Sequence, residues 1–267
     1  MRYRRYYGDK RLKHRVEYSK IDFCNCIYCG ESADSREHVP SKIFINKPYP
    51  ENLSIVPACE ICNNSFSADE LYTWLVLKFL EKQWHCNSLS DNEKLRYQKN
   101  KGILDTVITD INAYINSCNN QKSIFSFQSQ RIKRIIEKLA RGHMVFELSE
   151  GYNIGYDSEW ILEKTEYAFR PVLPQELIDD YNSAVPVGDY LLPEIGSRIY
   201  EHMIITSGSL IACDNSRSKL FNTIFLDWIV VQDEKYRYIT VYQSDRVIVS
   251  IVMDEFLFAS VYFKRDK

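Results

Sequence analysis

Two cysteine pairs constrain this chain more than any other feature. Cys26 and Cys29 are separated by two residues, and Cys59 and Cys62 repeat the spacing. A tight turn between paired thiols aims both sulfurs at one tetrahedral ion, and two such turns make a closed four-thiolate zinc site. The alternative is two disulfides or four buried thiols. The repeated spacing is that of a zinc ribbon and favours zinc. The interval between the pairs is longer than in a ribbon, so a segment is inserted between the two turns. That segment holds Glu37, His38 and Asn52.

The inserted segment reads R-E-H-V-P at Arg36 to Pro40 and N-L at Asn52 and Leu53. It runs into C-E-I-C-N at Cys59 to Asn63. Together with Cys26 and Cys29, these residues resemble an HNH endonuclease of the ββα-metal class in its zinc-stapled form. The match covers residues 24 to 70. The resemblance implies His38 as the general base that activates water for attack on a phosphodiester. A neutral imidazole suits that task, because its unperturbed pKa lies near physiological pH. It implies Glu37 as a ligand of a catalytic divalent ion, where Asp is the commoner residue, and Asn63 as a second ligand at the start of a helix. Asn52 would tie its loop to the backbone and orient the base. Many members carry another ligand one helical turn after the Asn63 position. Here that residue is Ser67, a poor ligand, and Glu70 is the candidate replacement by its i, i+4, i+7 spacing from Asn63 and Ser67. The other reading of Asp69 and Glu70 is a pair of acidic residues near the positive end of a helix.

Oxygen ligands from Glu37, Asn63 and Glu70 suit Mg²⁺ or Mn²⁺ rather than zinc. Two metals are therefore expected, a structural Zn²⁺ and an exchangeable Mg²⁺ or Mn²⁺. The implied reaction is hydrolysis of DNA to a 5′-phosphate and a 3′-hydroxyl, with RNA an open alternative. Standalone proteins of this kind often belong to prokaryotic or phage defence and mobile-element systems. Two rival classes stay open. One is a non-catalytic zinc-dependent nucleic-acid-binding module. The other is a nuclease subunit active only with a separate sensor protein.

The formal net charge of -2 carries no argument for nucleic acid, but its distribution does. The first twenty residues are basic, and Tyr3, Tyr6 and Tyr7 are interleaved with the cations. Arg2, Arg4, Arg5, Arg11 and Lys13 are candidate phosphate contacts, with the tyrosines available to stack on bases. The alternative is a solvated terminus. This basic start has no apolar core, so no secretory signal is expected. No apolar run is long enough to span a bilayer, and no membrane partner is expected. Eight cysteines, four of them in the two turns, fit a reducing cytoplasm. Cys24 is expected to be a bystander, because Cys-x-Cys is a strained bite.

The fold class expected is α+β in three segments. Residues 1–84 hold the ββα-metal domain and its basic arm, 85–150 are helical, and 151–267 are mixed and then rich in antiparallel β structure. Leu71, Trp74, Leu75, Leu77, Phe79 and Leu80 predict a helix over 69–84. A second helical stretch is predicted over 93–117, with Gly102 as a candidate interruption. A third is predicted over 129–146, with Ile132, Ile135, Ile136, Leu139 and Met144 on one side. Arg131, Lys133, Arg134, Lys138 and Arg141 ring its other side, as a candidate DNA-tracking face or an ordinary solvated one. His143 reads as a packed or surface residue. The stretch after Gly151 reads as loop-rich. Strands are predicted over 199–211, 225–231, 237–243, 246–253 and 256–263, with hairpin turns at 233–235 and 244–245. Tyr236, Tyr238 and Tyr242 with Trp228 read as a buried sheet face or an aromatic binding face. No phosphate-binding glycine loop is present, so any energy-driven step would need a partner. A protein partner or a homodimer is compatible with the chain.

Overall fold

A computed structural model describes residues 3–4, 15–16, 24–50, 53–85, 95, 99–119, 128–151, 160–169, 199–200, 203–210, 219–226, 228–243 and 245–266. The chain is α+β, with helices and antiparallel sheets. A short β1 (Tyr3–Arg4) pairs with β2 (Arg15–Val16). The cysteine region follows, with β3 (Ser35–Val39) antiparallel to β4 (Ser54–Ala58). A single 3-10 turn over Lys42–Phe44 lies between these two strands. Next come α1 (Glu60–Ser65) and α2 (Ser67–His85), then α3 (Lys101–Asn119) and α4 (Ser129–Gly151). Among the described residues no helix is long and apolar enough to cross a membrane.

The C-terminal part begins with β5 (Trp160–Phe169). It continues through β6 (Ile199–Tyr200), β7 (Met203–Leu210), β8 (Lys219–Leu226), β9 (Ile229–Gln232), β10 (Tyr236–Gln243), β11 (Arg246–Met253) and β12 (Leu257–Arg265). Six of these form one antiparallel sheet in the order β5-β12-β11-β10-β9-β6, while β7 and β8, among the described residues, pair with each other. Side chains alternate across each strand with period two. Val247, Val249, Ile251, Leu257, Ala259, Val261 and Phe263 therefore line one buried face with Tyr236 and Tyr238. Trp228, Ile239, Val252 and Phe258 form a separate small cluster.

Helix α4 is the spine between the two layers. It packs on α2, β3 and β4 on one side and on β5, β10, β11 and β12 on the other. Ile132, Ile135, Ile136, Leu139, Ala140, Met144, Val145, Phe146 and Leu148 are all buried, and so are Lys138, His143, Glu147 and Ser149. One apolar stripe is enough for a helix lying on a surface, whereas a helix between two layers is buried on most sides. The polar residues on its inner turns must then find partners. His143 Nε2 lies 2.8 Å from the Tyr236 hydroxyl, and its ring stacks on Tyr238 at 3.5 Å between centroids. Tyr238 donates to Glu147 Oε1 at 2.6 Å. Tyr236 and Tyr238 are thus core residues, and His143 is the packed residue of its two readings rather than the surface one. The side chain of Tyr242 lies outside the described residues.

Several elements differ from the sequence expectation. The stretch 160–169, expected as loop, is an edge strand. Its charged run Glu163-Lys164 and Glu166 hid it, and charge on an edge strand blocks pairing with another chain. The strand expected over 225–231 is divided around buried Trp228, because β8 pairs with β7 whereas β9 pairs with β10. The helical run expected over 93–117 is interrupted by a turn at Asn100, and Gly102 is the second residue of α3, which starts just after it. The basic side of α4 is not a free face. Arg134 Nη1 pairs with Asp69 at 2.6 Å, Arg131 approaches the same carboxylate at 3.5 Å, and Lys138 is buried.

The layers are joined at particular contacts. The Gln232 side-chain amide pairs with the Asn46 backbone, accepting from its N–H at 2.6 Å and donating to its carbonyl at 3.0 Å. Lys78 of α2 and Lys235 both reach Asp254, at 3.4 and 2.9 Å. Gly142 of α4 meets Val39 of β3 so closely that a Cβ would fall 2.6 Å from Val39 Cγ2. Val39 is buried and β-branched, so it cannot swing aside. Gly142→Ala should therefore destabilise the protein by about 1–3 kcal/mol through overpacking, against a helix-propensity gain of about 1 kcal/mol at most. Val39→Ala in the same chain should recover part of that loss, a coupling that urea unfolding of the double-mutant cycle would read.

Candidate functional site

The first cysteine turn is built by backbone bonds. Gly30 N–H donates to the Cys26 carbonyl at 2.8 Å, and Gly30 takes φ +80°, a conformation glycine adopts without cost. Ile27 N–H donates to the Pro57 carbonyl at 3.2 Å, which fastens this turn to β4. The second turn opens α1. Cys59 sits at its N-cap, and the Cys59 sulfur accepts from Cys62 N–H at 3.4 Å. Asp34 Oδ1 accepts from Glu60 N–H at 2.7 Å, so a carboxylate from just before β3 caps the same helix.

These two turns bring the four sulfurs together, all within 4.8 Å of one another. A tetrahedral zinc with Zn–S bonds of about 2.3 Å requires sulfurs about 3.8 Å apart. Cys29 Sγ and Cys59 Sγ are 3.7 Å apart. The donor set is all sulfur, which suits zinc, and this set fits the ion. Cys24 is exposed and stands outside the group. Burial works to raise the Cys26 thiol, but backbone N–H bonds from Cys59, Tyr28 and Cys29 outweigh it and hold the thiol below its ordinary range. Burial and the neighbouring thiols push Cys62 well up. A group of thiols that resists losing all its protons unaided is the environment a divalent cation relieves.

Strand β3 carries the next residues. Glu37 is 6% exposed and His38 is half-buried, facing opposite sides of the strand. His38 lies across from Ile55 of β4. Ser35, on the Glu37 side, accepts a hydrogen bond from Asn63 Nδ2 at 3.0 Å. Glu37 Oε1 accepts from Ser41 at 3.2 Å and pairs with Lys138 Nζ at 3.1 Å. Lys138 also donates to Ser41 Oγ at 2.9 Å and pairs with Glu70 Oε1. Its side chain has no exposed surface, and its ammonium sits 5.0 Å from the Phe66 ring centroid. Phe66 also takes Arg134 on its ring at 4.7 Å and meets the Tyr28 ring edge-on at 5.1 Å.

Burial pushes the Glu37 carboxyl above the ordinary carboxylate range. Lys138 pulls it back, and the Glu70 charge adds to the rise. Burial likewise raises the Tyr28 phenol, helped by Glu37 and Glu70. The Tyr28 hydroxyl is buried with no hydrogen-bond partner among the described residues.

The structure therefore brings Glu37 and Glu70 together and holds Asn63 on the Glu37 side of β3. Asn52, Arg2, Arg5, Arg11 and Lys13 lie outside the described residues, and Arg4 is described only as a backbone position in β1. The expected Mg²⁺ or Mn²⁺ does not fit the carboxylate pair as arranged. The Lys138 ammonium already occupies the space within reach of both carboxylates, and a divalent ion about 4 Å from it would lose about 8 kcal/mol of its attraction to them at an effective dielectric of about 20. Sequence reasoning missed Lys138 and Ser41 as members of this cluster. Lys138 lies far along the chain on what read as a basic helix face. Its one signal is that it directly precedes Leu139 and Ala140, where the helix becomes buried on most sides.

Comparisons of the chain with protein-family models, with curated proteins and with solved structures find no match. The functional reading rests on the residues themselves.

Metal analysis of the purified chain should give one zinc per chain, and Cys59→Ser should abolish it. Zinc should be released as pH falls, because protons compete for the thiolates. Removal of the ion by a strong chelator should lower the melting temperature and loosen β3, β4 and α1 first. Hydrogen exchange of these segments would check the order.

Proposed function

We propose that residues 24–85 form an HNH-type endonuclease unit that hydrolyses phosphodiester bonds in DNA, with His38 as general base. The observation that carries this reading is the placement of His38. It stands half-buried on a two-stranded hairpin that runs into a helix, with a four-cysteine group at the junction. That layout agrees with the hairpin-then-helix order expected of a ββα-metal unit. Four thiolates close the coordination of a zinc ion and leave no position for water. The zinc is then a staple that holds the hairpin on α1, and the chemistry falls to other residues.

Each residue has a defined task in this reading. His38, half-exposed and fixed on a regular strand, takes the proton from the attacking water. The neighbouring Glu37 points to the opposite side of β3, where its bonds to Ser41 and Lys138 fix the strand's rotation and so the direction of His38. Asn63, bonded to Ser35, locks the start of α1 to the same strand. Loss of a positioned general base lowers a rate by about 10²–10⁴-fold.

Nicking of supercoiled plasmid at neutral pH tests the reading, with and without added Mg²⁺ or Mn²⁺. Wild type should nick, and His38→Ala should lower the rate about 100-fold or more while binding the same zinc. Equal rates in the two proteins would remove His38 from the reaction. Single-stranded RNA offered to the same pair of proteins would reveal whether the substrate class is wider than DNA.

A further inference from the structure

Three oxygens converge on one nitrogen at the junction of β3, α2 and α4. They are Glu37 Oε1, Glu70 Oε1 and Ser41 Oγ, and the nitrogen is Lys138 Nζ. Two carboxylates and a hydroxyl are the kind of donor set that a hard divalent cation selects. Here an ammonium holds the centre. From the convergence of these oxygens on a fully buried lysine, we infer that Lys138 is the resident cation of this site and stands in place of a divalent ion. The inference rests on the nuclease reading above for the site it concerns, and it answers the expectation, drawn from the sequence resemblance, that Glu37 and Glu70 would hold a divalent ion.

Three observations support it. An ammonium has three protons to give, and Lys138 has three oxygen partners, so its donors are matched. The side chain has no exposed surface, and its neighbours Leu139 and Ala140 are packed in the core. Gly142, one turn further on, is pressed against Val39 of β3. The helix is thus held against the strand that carries Glu37. Finally, a cation already sits between the two carboxylates: the ammonium offsets one of their two charges, Glu37 also accepts from Ser41, and a divalent ion added beside the ammonium would meet like charge at contact distance.

Lys138 is a positioning residue here. It fixes Glu37, and through β3 it sets the orientation of the adjacent His38. Removing its charge should convert the oxygen cluster into a cation site.

The test is an equilibrium one and needs no activity. Mn²⁺ is titrated into the zinc-loaded full chain and followed by electron paramagnetic resonance of the free ion. Four proteins are compared: wild type, Glu37→Gln, Lys138→Gln and the Glu37→Gln/Lys138→Gln double variant. Wild type should show no Mn²⁺ binding that depends on Glu37. Lys138→Gln should bind Mn²⁺ at least about tenfold more tightly than wild type, which is about 1.4 kcal/mol, and the double variant should lose the gain. Wild-type binding that disappears in Glu37→Gln would overturn the inference, since the lysine would then yield to the metal. A folded Lys138→Gln that gains nothing would overturn it as well, since the oxygens would not be a cation seat. If Lys138→Gln does not fold, the comparison of wild type with Glu37→Gln still decides the matter. A failure of the nuclease reading appears elsewhere, as plasmid nicking unaffected by His38→Ala, and does not move these titrations.

Discussion

A lysine with no exposed side-chain surface joins the two halves of this protein's candidate site. Lys138 comes from α4, Glu37 from β3 and Glu70 from α2, so a single ammonium ties three elements that are far apart in sequence. A buried charge is tolerable only when its partners are close and well directed. Taking one partner from such a group costs roughly 3–5 kcal/mol, because the others are left charged and dry. The geometry of α4 against β3 is therefore under a tight electrostatic constraint. The contact of Gly142 with Val39 adds a steric one at the next turn.

The same helix reaches the C-terminal sheet through different chemistry. His143 and Glu147, one and two turns beyond Lys138, are bonded to Tyr236 and Tyr238 of β10. Both tyrosines and both α4 residues are almost fully buried. A helix lying between two layers has little surface to leave in water, so its polar side chains become connectors. One hydrophobic cluster runs from Ile27 beside the first cysteine turn to Phe263 in the last strand. The cysteine region is thus continuous with the core of the rest of the chain. The Gln232–Asn46 pairing and the Lys78–Asp254 ion pair close the same junction at its edges.

Cysteines and a lysine divide the work of holding the hairpin. Four sulfurs able to hold a metal ion gather at the end of β4 and the start of α1, where, among the described residues, Cys26, Ala58 and Cys59 form a small buried cluster with Tyr28 and Cys62 packed against it. The Lys138 cluster fastens the middle of β3 to the helices behind it. His38 is half-buried and faces the other side of the strand from Glu37.

Local chemistry and short periods determined what the sequence alone could reveal. The two cysteine pairs brought four sulfurs together because a two-residue turn is a local geometry. Apolar spacing predicted helices over 69–84 and 129–146, which the fold extends to 67–85 and 129–151, and alternation with β-branched content predicted the strands of the β10–β11–β12 meander. The adjacency of Glu37 and His38 on opposite faces of one strand follows from the period of two. Tertiary structure decided the rest. The charged edge strand β5 was invisible because its polar residues serve exposure rather than alternation. The break at Trp228 came from strands choosing different partners. Lys138 looked like one of several surface cations because burial is a property of what packs on a helix, and nothing in the neighbouring residues states that α4 has a layer on each side. The charge that faces Glu37 is carried about a hundred residues away in sequence, and only the folded chain brings the two within a hydrogen bond.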